Sequence, residues 1–142
     1  MSMHATARRL GDGLRHEVLV NGRHVVITDE PVRLGGTDSG PAPHELLPAA
    51  LASCIATMIA LYAANRGWDL GDVPVAVHYD NEATPRRFDV EIRLPAGLSD
   101  DQVTRLRRVA DTCPVRRALE AGFTFDERIV IAAEPAARDV AA

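Results

Sequence analysis

No lysine occurs in this chain of 142 residues, so all sixteen basic residues are arginine and any cationic site must use a guanidinium. Net charge is −4, which argues against nucleic acid as a partner. Aromatic residues make up only 4%, which leaves the core to Val, Leu, Ile and Ala. The opening stretch Met1-Ser2-Met3-His4-Ala5-Thr6-Ala7-Arg8-Arg9 has no apolar segment of the kind that directs secretion, so a cytoplasmic setting is expected. Cysteine is scarce too. The two present, Cys54 and Cys113, cannot scaffold a domain of this size, and in a reducing compartment catalytic or sensing thiols are expected over structural ones. There is no Cys-x-x-Cys, and His4, His16, His24, His44 and His78 are scattered, so neither zinc nor another bound cofactor is expected.

What is present is an ordinary globular balance, 46% hydrophobic and 25% charged, at a length that suits one domain over residues 1–142. Strands are predicted near Met3–Leu10, over Arg15–Val20 and over His24–Thr28. The last two flank Asn21-Gly22, a hairpin signal because both central positions of a type I′ turn need positive φ. Asp29–Pro43, rich in Gly, Pro, Asp and Ser, reads as a loop. Two further strands, Val73–Tyr79 and Arg87–Leu94, turn around Asn81–Pro85. Ser99-Asp100-Asp101-Gln102 has the form of a capping box ahead of a helix that carries Val103, Leu106, Val109 and Ala110 on one face. Pro114 starts a short helix through Glu120, closed by Gly122, and Phe125–Ala132 is predicted as a last strand. The Ala-rich tail from Glu134 is expected to fray. The order gives an α+β fold, with antiparallel sheets and one long helix.

That helix is residues 46–64, an apolar run interrupted by Ser53 and Thr57. Its length would span a membrane, but its many alanines and Pro48 argue against that. A helix apolar all round is otherwise buried, and a domain of this size could hardly enclose it alone. A partner subunit is therefore expected to cover it.

Cys54 sits in the middle of this helix, on a stripe with Leu47, Ala50, Leu51, Met58, Leu61 and Tyr62. A lone Cys there often serves only as a small buried hydrophobe. A reactive thiolate in apolar surroundings would need a guanidinium close by. Arg33, in the loop before the helix, and Arg15, at the start of a strand, are the candidates. At the helix entrance Glu45 suits the dipole as a simple cap, or could hold such an Arg in place. On an α-helical count His44 lies about 80° and Glu45 about 180° from the Cys54 direction, which favours His44.

Gly40-Pro41-Ala42-Pro43-His44-Glu45-Leu46-Leu47-Pro48-Ala49-Ala50-Leu51-Ala52-Ser53-Cys54, followed much later by Cys113-Pro114-Val115, resembles the OsmC/Ohr family of thiol peroxidases. The resemblance implies an OsmC-like fold in an intertwined homodimer, with the long helices of the two subunits packed together between sheets. It implies reduction of small organic hydroperoxides in oxidative-stress defence. Cys54 would be the peroxidatic cysteine, and Cys113 the resolving cysteine that closes a disulfide with it. It also implies an external dithiol of lipoyl type, or a lipoylated protein, as reductant. In the well-characterised peroxidases a Glu directly follows the Pro at the helix start. His44 occupies that position here and Glu45 comes one later, as in an OsmC-like subgroup. Arg33 corresponds to the loop arginine of the OsmC branch and Arg15 to the strand-end arginine of the Ohr branch, with Arg33 preferred. Two other readings keep the same fold: a non-catalytic binding protein for a hydrophobic ligand, and a thiol redox sensor.

Overall fold

The computed structural model describes residues 2–133, which form two compact units. One contains residues 2–46 and 125–133; the other is Leu47–Thr124.

The first unit is a three-stranded antiparallel sheet of β1 (Ala5–Arg9), β2 (His16–Val20) and β3 (His24–Thr28), in that order. Ala7 pairs with Val18, and Val18 with Val26. The β2–β3 connection has the chemistry the sequence predicts. Asn21 and Gly22 take φ of 51° and 69°, and the Arg23 N–H donates to the Val20 carbonyl at 3.2 Å. Val20 pairs with His24, so Arg23 is also left outside the ladder. No hydrophobic residue of this unit is buried among the described residues; its buried side chains are Thr28 and Asp29. The predicted loop after β3 contains a 3-10 turn at Val32–Leu34, and a second at Pro43–Glu45 leads into the long helix.

The strand expected over Phe125–Ala132 is not formed: the segment joins no ladder with a described strand. Its apolar side chains point outward, with Phe125 at 83% exposure, Ile129 at 92% and Ile131 at 85%. Alternating apolar residues supply the pattern of a strand, but a strand exists only where a neighbour takes its N–H and C=O groups, and none does so here. The tail from Glu134 lies outside the described residues.

The second unit is built on α1 (Leu46–Asn65), followed by a hairpin of β4 (Val75–Asp80) and β5 (Arg87–Ile92), then α2 (Asp100–Asp111) and α3 (Pro114–Ala121). Pro48 does not interrupt α1, because it lies in the first turn, where its missing N–H has no intrahelical partner to lose. The helix ends on Gly67, φ 67°, with the Trp68 N–H on the Ala63 carbonyl and the Gly67 N–H on the Ala64 carbonyl. The capping box on α2 is complete: Gln102 N–H donates to Ser99 Oγ at 3.2 Å and Ser99 N–H to Gln102 Oε1 at 2.9 Å.

α1 buries Leu51, Ile55, Ile59 and Ala63, which pack with Leu106, Val109, Ala110 and Cys113 and against Val75, Val77, Phe88 and Ile92 of the hairpin. This corrects the stripe read from the sequence. Leu47, Ala50 and Leu61 are exposed, and the buried stripe is rotated toward Ile55 and Ile59. A helix apolar on every side has no periodicity from which its inner face can be chosen. By length and composition the stretch Pro43–Asn65 could cross a membrane, with mean hydropathy 1.9, but the Ile55 side of it serves as the core of this unit. Replacing Ile55, which is buried, by Ala should cost about 2–5 kcal/mol, read as a lower urea midpoint at unchanged slope.

Candidate functional site: a thiol pair between two helices

Cys54 lies at the edge of the buried stripe of α1 and is half-buried. Cys113 is 0% exposed and sits where α2 gives way to α3. Its N–H donates to the Ala110 carbonyl at 3.3 Å, and its own carbonyl accepts from Arg117 N–H at 3.0 Å. Pro114 then opens α3 without needing a donor there. The turn sets Cys113 in the buried cluster against which Cys54 packs, and both thiols are unbridged. Burial pushes the Cys54 thiol above the ordinary cysteine range, the Cys113 thiol adds to that, and the Val115 N–H, donated to the Cys54 sulfur, pulls the other way.

The sequence did not single out Val115. The signal was there, since Pro at the first position of a helix leaves the next N–H without an intrahelical acceptor. Arg116 was also missed. It donates from Nη1 to Asp111 at 2.7 Å and from Nε to Glu120 at 2.9 Å. It lines two apolar clefts of this unit. One, of about 480 Å³, lies along Ile55, Ile59, Ile92 and Leu106; the other, of about 720 Å³, lies along Leu47, Leu51, Phe88 and Leu119.

The remaining predicted site residues belong to the first unit. Arg33 stands exposed in the 3-10 turn Val32–Leu34. Arg15 is exposed before β2, its carbonyl accepting from Leu10 N–H at 2.8 Å. His44 and Glu45 are in the 3-10 turn ahead of α1, so the α-helical count that favoured His44 does not apply to them. The Glu45 carboxylate accepts the Ala42 N–H at 3.1 Å, the capping role.

Asp29 also went unnoticed in the sequence. It is 1% exposed, and five donors converge on its carboxylate. The hydroxyls of Thr37 and Ser39, then the Glu30 N–H, hold its carboxyl well below the usual carboxylate range. A depressed carboxyl stabilises the fold fully above its unfolded value of about 3.9, and that stabilisation declines as pH falls toward the folded value. Among the described residues no three His, Cys, Asp or Glu side chains group so as to hold a metal ion.

Comparison with known proteins agrees with this fold. A family profile described as OsmC-like protein matches residues 36–128, which include both cysteines. Among solved structures, an osmotic stress-induced and detoxification response protein from Psychrobacter arcticus is 29% identical, with 80% of this chain and 85% of that chain covered and a TM-score of 0.67. An OsmC-like protein from Mycoplasma pneumoniae has the same TM-score of 0.67 at 16% identity, over 84% of this chain and 88% of that one. An organic hydroperoxide resistance protein OsmC from Legionella pneumophila reaches 0.57 at 22% identity, over 84% and 89%. At these lower identities the likeness is one of fold. No curated protein matches the chain.

Proposed function

The chain belongs to the OsmC-like protein family, and from that premise we propose that it reduces organic hydroperoxides with the Cys54–Cys113 pair. The observation that carries this reading is the pairing of a half-buried thiol on α1 with a fully buried thiol where α2 gives way to α3, in one packed cluster. The Cys54 thiolate attacks the outer peroxide oxygen and the O–O bond breaks. The alcohol leaves with a proton, and Cys54 becomes a sulfenic acid. The Cys113 sulfur displaces the hydroxyl, which leaves as water, and a disulfide closes. An external dithiol of lipoyl type, free or on a lipoylated protein, reopens it by exchange. The apolar side chains around Cys54, among them Leu51 and Ile55, suit an alkyl or fatty-acyl hydroperoxide better than hydrogen peroxide. The stress and detoxification role in the description of the Psychrobacter relative supports the same reading.

Within the second unit only the Val115 N–H favours the thiolate. The reading calls for a cation beside the thiolate, for which the sequence offers Arg33 and Arg15, and for a second copy of the chain, with the cytoplasm as its setting. The second copy is supported by three surfaces. The face of α1 opposite Ile55 presents Ser53, Thr57, Ala60 and Ala64 to solvent. The segment after Phe123 exposes its apolar side chains, and the β1–β3 sheet buries no hydrophobic residue. A homodimer covers all three.

Reduced protein given stoichiometric cumene hydroperoxide should lose the mass of two hydrogens rapidly, and tryptic mapping should link the peptides of Cys54 and Cys113. An unchanged mass after prolonged exposure would sink the peroxidase and leave the clefts as a binding site for an apolar ligand.

A further inference from the structure

Asp101, Thr104, Arg105, Arg108 and Thr112 recur along α2 and its C-terminal cap at the three- and four-residue spacing that sets side chains on one side of a helix. With Tyr62 of α1 they line a cleft of about 420 Å³ inside the Leu47–Thr124 unit. Neither cysteine is among its walls. Tyr62 lies about half a turn around α1 from the small-residue face at Ala60 and Ala64. The walls differ in chemistry from those of the two apolar clefts, because here guanidinium and hydroxyl groups dominate.

Charge in this cleft is out of balance. Arg105 Nε donates to Asp101 Oδ2 at 2.8 Å, and that carboxylate is the only one in the walls. The Arg108 guanidinium is exposed and has no hydrogen-bond or ion-pair partner among the described residues. Arg66 adds a third positive charge, its guanidinium carbon 3.5 Å from the centre of the Tyr62 ring. By contrast, Arg116 of the same unit meets both Asp111 and Glu120, and Arg87 meets both Asp80 and Asp89. Like charges one turn apart on a helix repel, so Arg105 and Arg108 oppose α2 unless an anion joins them. The helix dipole favours a cation at Arg108, in the last turn, but it does not account for the unsatisfied hydroxyl nearby. The Thr112 hydroxyl is spent on the Val109 carbonyl at 2.9 Å, whereas that of Thr104 donates to no described residue. We propose that this cleft binds the phosphate group of a small soluble phosphomonoester. A guanidinium fork matches two phosphate oxygens at once, and a doubly charged phosphate offsets two guanidinia where a carboxylate offsets one. Arg108 offers its whole fork. Asp101 engages Arg105 through Nε, which leaves it Nη donors for the ligand. Thr104 supplies a hydroxyl donor. The site uses neither thiol and stands apart from the peroxidase reading.

The experiment titrates the reduced full-length protein with inorganic phosphate and with glycerol 3-phosphate, at constant ionic strength, and follows backbone amide shifts by NMR. Saturable shifts are expected at the amides of Thr104–Thr112 and Tyr62. Arg108→Ala should weaken binding by about tenfold or more, the loss that goes with a charge-assisted hydrogen bond. Arg108→Lys keeps the charge without the fork and should recover only part of the affinity. Arg107→Ala is the control. It removes the same net charge from the next residue, which lines the apolar cleft along Ile55 and Ile59 instead. An exposed charge outside the site acts only through screening solvent, so affinity should stay nearly unchanged. Thermal melts give a second reading: phosphate should raise the melting temperature of the wild type and leave that of Arg108→Ala where it was. Shifts that fail to saturate, the same shifts with chloride alone, or an equal loss in Arg107→Ala would each overturn the proposal. Cosedimentation with phosphatidylcholine vesicles that contain phosphatidic acid, lost in Arg108→Ala, would assign the phosphate to a lipid headgroup and overturn the soluble ligand.

Discussion

Cys54→Ser should abolish peroxide consumption, by more than about a thousandfold in kcat/KM, because in the proposed reaction the sulfur is the atom oxidised and no neighbouring group can replace it. Cys113→Ser should behave differently. The first oxidation proceeds, but the sulfenic acid on Cys54 has no thiol to condense with, so dimedone traps it, and excess peroxide carries it to the sulfinic acid. Stopped-flow consumption of cumene hydroperoxide with intact-mass readout distinguishes the two. The asymmetry follows from burial. Cys113 is fully enclosed by the core around Leu106 and Ala110, whereas Cys54 is half open. Peroxide therefore meets Cys54 first. If Cys113→Ser lost the first oxidation while Cys54→Ser retained it, the assignment of the two roles would be reversed.

If two copies of the chain pair through α1, as proposed above, Ala60→Arg should separate them. Ala60 is exposed, on the small-residue face of α1 with Ser53, Thr57 and Ala64. If that face met water alone, an Arg there would change stability by no more than about 0.5 kcal/mol. If instead it lies against the same face of a second α1, a guanidinium at close helix-to-helix range has neither space nor a partner. Light scattering after size exclusion should then show the mass fall by half, and the melting temperature should drop by several degrees, roughly what a few kcal/mol implies for a domain of this size. A wild-type monomer, or an Ala60→Arg variant that remains dimeric and equally stable, would rule out the packing of central helices.

Much of this architecture was legible in the residues because it is encoded locally. Asn21-Gly22 demanded positive φ at both positions, Ser99 and Gln102 matched each other as a box, and Pro114 and Gly122 bracketed α3. The errors fall where the outcome depends on something distant. The inner face of α1 could not be read because its apolar residues surround the helix, and the sheet and α2 choose the face. Residues 125–132 have a strand's pattern and no partner in the described chain. The site divides the same way. The sequence motifs pointed to both cysteines, and the structure brings them together in one unit. Asp29 stayed hidden because its value lies in donors from Thr37 and Ser39 across a loop. Nothing in an isolated Asp after a strand announces that it will be buried.

The division into units has a consequence for how the chain comes off the ribosome. Leu47–Thr124 is continuous, and its core of Leu51, Ile55, Leu106 and Cys113 can close once Thr124 has left the exit tunnel. The sheet unit is discontinuous, with residues 2–46 made first and residues from Phe125 onward made only after the intervening unit. The β1–β3 ladders, by contrast, lie wholly within residues 5–28, so those hairpins can pair before either thiol is made, whereas the core that encloses Cys113 can close only after it.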